Sequence, residues 1–207
     1  MKRTILNLAA SAAMALVPLG AQATVFQFNA TLNGANQVPV NAVTGTGVAT
    51  LFYDDHGTLA AGDDTYNFAM SVFGLTGAAT AFHIHGAGTS SENAPVRVGL
   101  DSAPFISSIS GGTLLVGGNN VAPIAIPATP ATSSNAGHPA MSFLDMLQGQ
   151  LAYVNVHTTA FPGGEVRGQL IQVAAIAAVP EPESYAMMLA GLGLIGWVGL
   201  RRSRQAK

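Results

Sequence analysis

Tyr66-Asn67-Phe68-Ala69-Met70-Ser71-Val72 is the stretch that decides the fold. In an extended chain its large apolar side chains, Tyr66, Phe68, Met70 and Val72, line one face, while small or polar residues line the other. The same beat recurs on both sides. Upstream, Phe26, Phe28, Ala30 and Leu32 share a face, and Val48 to Tyr53 forms another strand. Asp54-Asp55-His56-Gly57 and Gly62-Asp63-Asp64 bound a hairpin-like connection. Downstream, Ala79 to His85 and Val96 to Leu100 read as strands, the second starting just after Pro95. Gln150 to His157 and Glu165 to Val173 follow, separated by the turn Phe161-Pro162-Gly163-Gly164. Short alternating strands punctuated by Gly and Pro predict an all-β antiparallel sandwich or barrel. From Asp101 to Ala140 the pattern weakens, and Pro123 to Pro139 reads as a long surface loop. Ser142-Phe143-Leu144-Asp145 predicts a helix start with Ser142 as N-cap, and Gly149 its stop.

Charge is distributed unevenly. Six of the eight basic residues, Lys2, Arg3, Arg201, Arg202, Arg204 and Lys207, lie at the two ends. The body from Thr24 to Val179 keeps only Arg97 and Arg167 against eight acids, a net charge of -6, and has no lysine. Without a basic surface to displace counterions from phosphates, nucleic-acid binding is excluded. There is no cysteine, so stability rests on packing and thiolate metal sites are impossible.

The chemistry concentrates on three histidines. In Ala81-Phe82-His83-Ile84-His85, alternation sends Phe82 and Ile84 to one face and both histidines to the other. In Tyr153-Val154-Asn155-Val156-His157, His157 shares the polar face with Tyr153 and Asn155. In Val166-Arg167-Gly168-Gln169-Leu170, Arg167 points away from the core. If these strands are neighbours, His83, His85 and His157 converge on the exposed flank of the sheet. Two imidazoles of an H-x-H strand pair lie ~6.5–7 Å apart at Cα, close enough to reach one ion at ~2 Å from each nitrogen. An all-imidazole set suits copper or zinc better than calcium or magnesium. Glu165 is either a carboxylate that orients Arg167 or a ligand histidine, or an exposed strand-end acid. His56 reads as a turn residue, His138 as a loop residue or a ligand swinging in, and Arg97 as the partner of a nearby acid. The aspartates around the hairpin lack the alternation of a calcium loop.

The two ends read as addresses. Lys2 and Arg3, the apolar stretch Ile5 to Val17, and Ala21-Gln22-Ala23 form a signal peptide over residues 1–23, cleaved after Ala23. The folded domain is expected over 24–174 and a linker over 175–184. Residues 185–207 would be a membrane anchor with a basic tail. The apolar run Tyr185 to Leu200 counts 16 residues, short of the ~20 of a full transmembrane helix. The break Pro180-Glu181-Pro182, the apolar run and Arg201-Arg202-Ser203-Arg204 together resemble the PEP-CTERM sorting signal. That resemblance implies an exosortase-type processing enzyme as partner, transient inner-membrane insertion, and delivery to the cell surface or an extracellular polysaccharide matrix.

The body resembles the CHRD domain. The likeness is carried by Leu32-Asn33-Gly34-Ala35-Asn36-Gln37-Val38-Pro39, Gly45-Thr46-Gly47 and Ala81-Phe82-His83-Ile84-His85-Gly86, then by Tyr153-Val154-Asn155-Val156-His157-Thr158 and Pro162-Gly163-Gly164-Glu165-Val166-Arg167-Gly168-Gln169-Leu170. It implies a Greek-key β-sandwich. The order His83, His85, His157, Arg167 is also similar to that of copper/zinc superoxide dismutases, which implies copper ligation by the three histidines and Arg167 at the mouth of the site. The dismutase zinc loop, bridging histidine and cysteines have no counterpart. A domain at -6 would steer superoxide poorly and gather cations instead. Three functions follow as expectations: a non-enzymatic surface or matrix protein that binds copper, a copper-only redox enzyme, and an adhesion module without metal.

Overall fold

The computed structural model describes residues 23–58, 62–177 and 182–205. Ten strands form the body: β1 (Thr24–Asn33), β2 (Thr46–Asp54), β3 (Thr65–Phe73), β4 (Ala79–His85), β5 (Val96–Gly99), β6 (Ile106–Ser110), β7 (Thr113–Val121), β8 (Tyr153–Thr158), β9 (Val166–Gln169) and β10 (Ile171–Ala177). A short helix α1 (Phe143–Gln148) precedes β8, and α2 (Pro182–Gln205) closes the chain.

Every strand pair is antiparallel. The hydrogen-bonded order is β5-β4-β8-β9-β1-β2-β3-β7-β6, with β10 also on β1. The order β10-β1-β2-β3 is the Greek-key arrangement, three consecutive strands and a fourth that returns from far along the chain to lie beside the first. The two halves of the sheet meet at one pair, Asn33 with Arg167, and their apolar faces close on a single core. Phe28, Leu32, Leu51, Tyr66, Phe68 and Val72 come from one half, and Phe82, Ile84, Val154, Val156 and Val166 from the other. The all-β Greek-key expectation therefore holds, although the sandwich is one continuous sheet folded over.

Helix α1 plugs the open end of that core. Its Ser142 cap accepts from the Asp145 N–H while the Asp145 carboxylate reaches back to the cap, a complete capping box. Phe143 stacks on Tyr66 at 5.0 Å between centroids.

Several boundaries differ from expectation. The weakly patterned 101–140 region contains the hairpin β6–β7 before a loop held by the nested bridges Ile126–Met141, Thr129–His138 and Thr132–Asn135. The last strand is two strands, and β10 runs to Ala177, through the start of the expected linker, because its backbone pairs with β1 from Thr24 to Asn29. Residues 1–22 of the expected signal peptide, Ala21 among them, fall outside the described residues, as do Pro180 and Glu181; Ala23 is described, and Pro182 opens α2. Helix α2 covers the expected anchor, and among the described residues no helix is long and apolar enough to cross a membrane. The apolar run is short and is diluted by Gly191, Gly193, Gly196 and Gly199.

Candidate metal centre

Strands β4 and β8 pair so that His83 lies opposite Asn155, His85 opposite Tyr153 and Ala81 opposite His157. Their core faces carry Phe82, Ile84, Val154 and Val156, which fixes the register and drives all three histidines to the other face. There the rings gather, with centroids 5.5 Å apart for His83–His85, 5.2 Å for His83–His157 and 5.9 Å for His85–His157. One nitrogen from each lies within 4.8 Å of the other two. A shared ion at ~2.0–2.1 Å from each nitrogen holds them at most ~4.2 Å apart, so side-chain rotations of less than an ångström or so close the set.

Backbone carbonyls fix the tautomers. His85 Nδ1–H donates to Ala94 O at 2.8 Å and His157 Nδ1–H to Pro162 O at 2.8 Å. In each neutral ring Nε2 then carries the lone pair, unpartnered in His85 and accepting from the Asn155 amide in His157. Asn155 Nδ2–H lies 3.3 Å from His157 Nε2. His83 Nδ1 and His85 Nε2 are buried and have no hydrogen-bond partner. Buried polar atoms are rarely left so, and two orphaned imidazole nitrogens beside a third His are what an imidazole-ligated cation would satisfy. Burial pulls the His83 pKa below its ordinary value, with His157 adding to the effect and Asp101 opposing it. It pulls His85 down to about 4, against the Ala94 bond, with His83, His157 and Arg167 contributing further. Neutral rings are the ligating form.

The expected exposed flank is roofed in part: His85 is only 8% exposed, while His83 and His157 are partly exposed. Two loops cover it. The segment between β4 and β5 brings Ala94 over His85, with Ala94 N–H also donating to the Tyr153 hydroxyl at 2.9 Å. The segment after β1 brings Gln37, whose Nε2 donates to Asn155 Oδ1 at 2.7 Å, and Asn41, whose Nδ2 donates to Gly164 O at 2.6 Å. Asn93 Nδ2 donates to Val38 O at 2.9 Å and ties the loops together. These contacts bridge residues up to 123 positions apart, and only their Asn and Gln chemistry signals them in the sequence.

Arg167 does not stand at the mouth of the histidine cluster. Its guanidinium lies 3.4 Å from the Tyr153 ring centre, and His85 stacks on the same ring at 4.9 Å and 9°. Strand β8 runs between β4 and β9, so His85 and Arg167 approach Tyr153 from opposite sides and the phenol separates them. Glu165 orients neither Arg167 nor a histidine, and it is fully buried rather than exposed. Its oxygens accept from Thr76 N–H at 2.6 Å and Thr158 Oγ1–H at 2.7 Å, which ties the end of β8 to the turn after β3.

The other candidates settle as structure. His138 Nε2 lies 3.2 Å from Glu92 Oε2, away from the cluster. The Glu92 carboxyl is held down at about 2, chiefly by the N–H groups of Thr89 and Ala136. Arg97 has no acidic partner among the described residues; it donates to Gly86 O, to Pro127 O and to Thr129 Oγ1. His56 sits in a turn at φ 49°. The hairpin aspartates disperse, Asp64 accepting from the Tyr53 hydroxyl and Asp63 from Thr58, and among the described residues the three histidines are the one group placed to hold a metal.

The paired strands carrying this cluster lie inside a match to the CHRD domain over residues 28–170, more than half of the chain. The chain belongs to the CHRD family. In this CHRD protein, residues 178–204 match the PEP-CTERM protein-sorting motif. That motif is a sorting signal for exosortase processing and implies export through a membrane-anchored intermediate. No curated protein and no solved structure matches the chain.

Proposed function

We propose that this CHRD protein is delivered to the cell surface or extracellular matrix and there binds copper, non-enzymatically, through His83, His85 and His157. The observation that carries the reading is the pair of buried, partnerless nitrogens, His83 Nδ1 and His85 Nε2, in rings that gather with that of His157. When bound, copper would satisfy them, and an all-nitrogen site ranks copper above zinc among divalent ions. The chain's own part is to present neutral rings, with the tautomers of His85 and His157 set by Ala94 O and Pro162 O, and to bury His85 beneath two loops. A surface role fits better than turnover. The guanidinium that would guide a small anion to a redox centre lies behind Tyr153, and a body at -6 steers freely diffusing superoxide to the histidines poorly. The sorting motif supports processing near Pro180-Glu181-Pro182 followed by attachment within extracellular polysaccharide.

Copper titration of the purified chain in detergent tests the site, with His83→Ala and the half-exposed His157→Ala as controls. One tight site in the native chain, weakened at least about tenfold in each variant, is the expected result. Unchanged uptake in both variants removes the site, and superoxide turnover above that of free copper would replace the non-enzymatic reading with a redox one.

A further inference from the structure

A second cavity lies on the far side of Tyr153. It measures about 690 Å³ and is bounded by β1, β9, the segment after β1 and the Ser90-Ser91 turn. That size falls within the ~300–1,000 Å³ of small-molecule sites. At its base is Arg167, 1% exposed. The guanidinium has five N–H donors and gives them two neutral acceptors, Thr89 O at 2.8 Å and Asn93 Oδ1 at 3.4 Å. No carboxylate pairs with it among the described residues, and no acid lines the cavity. An unpaired buried cation costs several kcal/mol, and stacking on Tyr153 offsets only part of that. Burial also pulls the Arg167 pKa down. The missing partner is an anion.

The walls define what else that anion carries. Asn36, Gln37 and Gln169 bring amides, and Ser90 and Ser91 bring hydroxyls, groups that both donate and accept. Gln169 Oε1 is buried without a partner, while its Nε2 donates to Gly88 O. Exposed Val40 and Ile171 form an apolar edge. A guest with one carboxylate, several hydroxyls and an apolar C–H face matches all three.

We propose that this cleft binds a uronate unit of an acidic polysaccharide, its carboxylate on the Arg167 fork and its ring on Val40 and Ile171. The proposal names the ligand of the matrix attachment above and rests on that reading for its source; it needs no metal. A planar carboxylate accepts two parallel N–H bonds from arginine, which lysine cannot supply.

Calorimetry on the full chain in detergent, with trigalacturonate as probe, tests it. Neutral galactotriose and acetate serve as separate arms. Trigalacturonate is expected to bind at least about tenfold more tightly than either, because each lacks half of the recognition. Arg167→Lys should cost at least about tenfold. Because Arg167 is buried, Ser90→Trp serves as a second variant: it fills the exposed rim, should abolish trigalacturonate binding and should leave copper uptake unchanged. Equal binding of the acidic and neutral trisaccharides overturns the proposal, as does acetate matching trigalacturonate or Ser90→Trp leaving trigalacturonate affinity intact. If trigalacturonate fails while the chain still co-sediments with extracellular matrix, the cleft assignment falls and the matrix reading stands.

Discussion

Acid is expected to destabilise the metal-free domain through one ring. His85 is packed between Tyr153 and the other two histidines, and its Nε2 has no acceptor. A proton there would create a buried cation beside Arg167 with an N–H that donates to nothing. The folded-state pKa therefore falls from 6.5 to about 4. In the unfolded chain the imidazole regains its ordinary value, so as pH falls the unfolded state takes up the proton first. The stability tied to neutral His85 is fully present above pH ~6.5, is lost as pH falls toward 4, and the loss levels off below that. At ~1.36 kcal/mol per pH unit the loss is about 3 kcal/mol, a large share of the ~5–15 kcal/mol that holds a domain together. Urea unfolding of the native chain and of His85→Gln, in steps from pH 7 to pH 4, isolates it. The native chain should lose about 3 kcal/mol more than the variant across that interval. Nuclear magnetic resonance should place the midpoint of the His85 ring near 4. A midpoint near 6.5, or a flat difference between the two unfolding series, refutes the buried neutral ring.

Two further substitutions separate scaffold from site. Glu165→Gln replaces one of two satisfied buried acceptors with a donor facing Thr76 N–H or Thr158; it should cost ~1–3 kcal/mol, visible as a lower Tm by calorimetry, with copper uptake retained because Glu165 touches no histidine. Gly164→Ala should lose on both counts: Gly164 sits at φ 126°, and a Cβ there would come within 2.5 Å of Asn155 Oδ1 and 2.7 Å of Gln37 Nε2. The same turn carries Pro162 O, which holds the His157 ring, so a melt lowered by ~1–3 kcal/mol should accompany weakened copper binding, and native-like uptake in this variant would show that the turn does not position the ring.

Much of this architecture is legible in the chain because it is written in period two. Ala79–His85 alternates so cleanly that the strand and the phase of both histidines follow directly, and Val154 and Val156 set His157 the same way. Ser142 and Asp145 announce α1 through a local capping box. The β6–β7 hairpin leaves no such trace. Every residue of β6 is exposed, so no buried face imposes a pattern on Ile106-Ser107-Ser108-Ile109-Ser110, and Gly117-Gly118-Asn119-Asn120 weakens the strand signal of β7. The roof over the histidines is equally silent, since it is assembled from turns whose amide partners lie on distant strands. Nor does alternation reveal that Tyr153 would stand between His85 and Arg167. Phase assigns a face, whereas the order of neighbours across a face depends on which strands pair, here β4 with β8 and β8 with β9.

The pairing of β1 with β10 brings the two ends of the folded domain together. Thr24 pairs with Ala177, so the chain enters the sheet and leaves it toward its sorting tail side by side at one pole. Asn33, at the opposite tip of the ten-residue β1, pairs with Arg167, about 30 Å away along the strand. The two ends of the folded domain thus lie together at one pole, and the strand tip that positions the Arg167 guanidinium lies at the other.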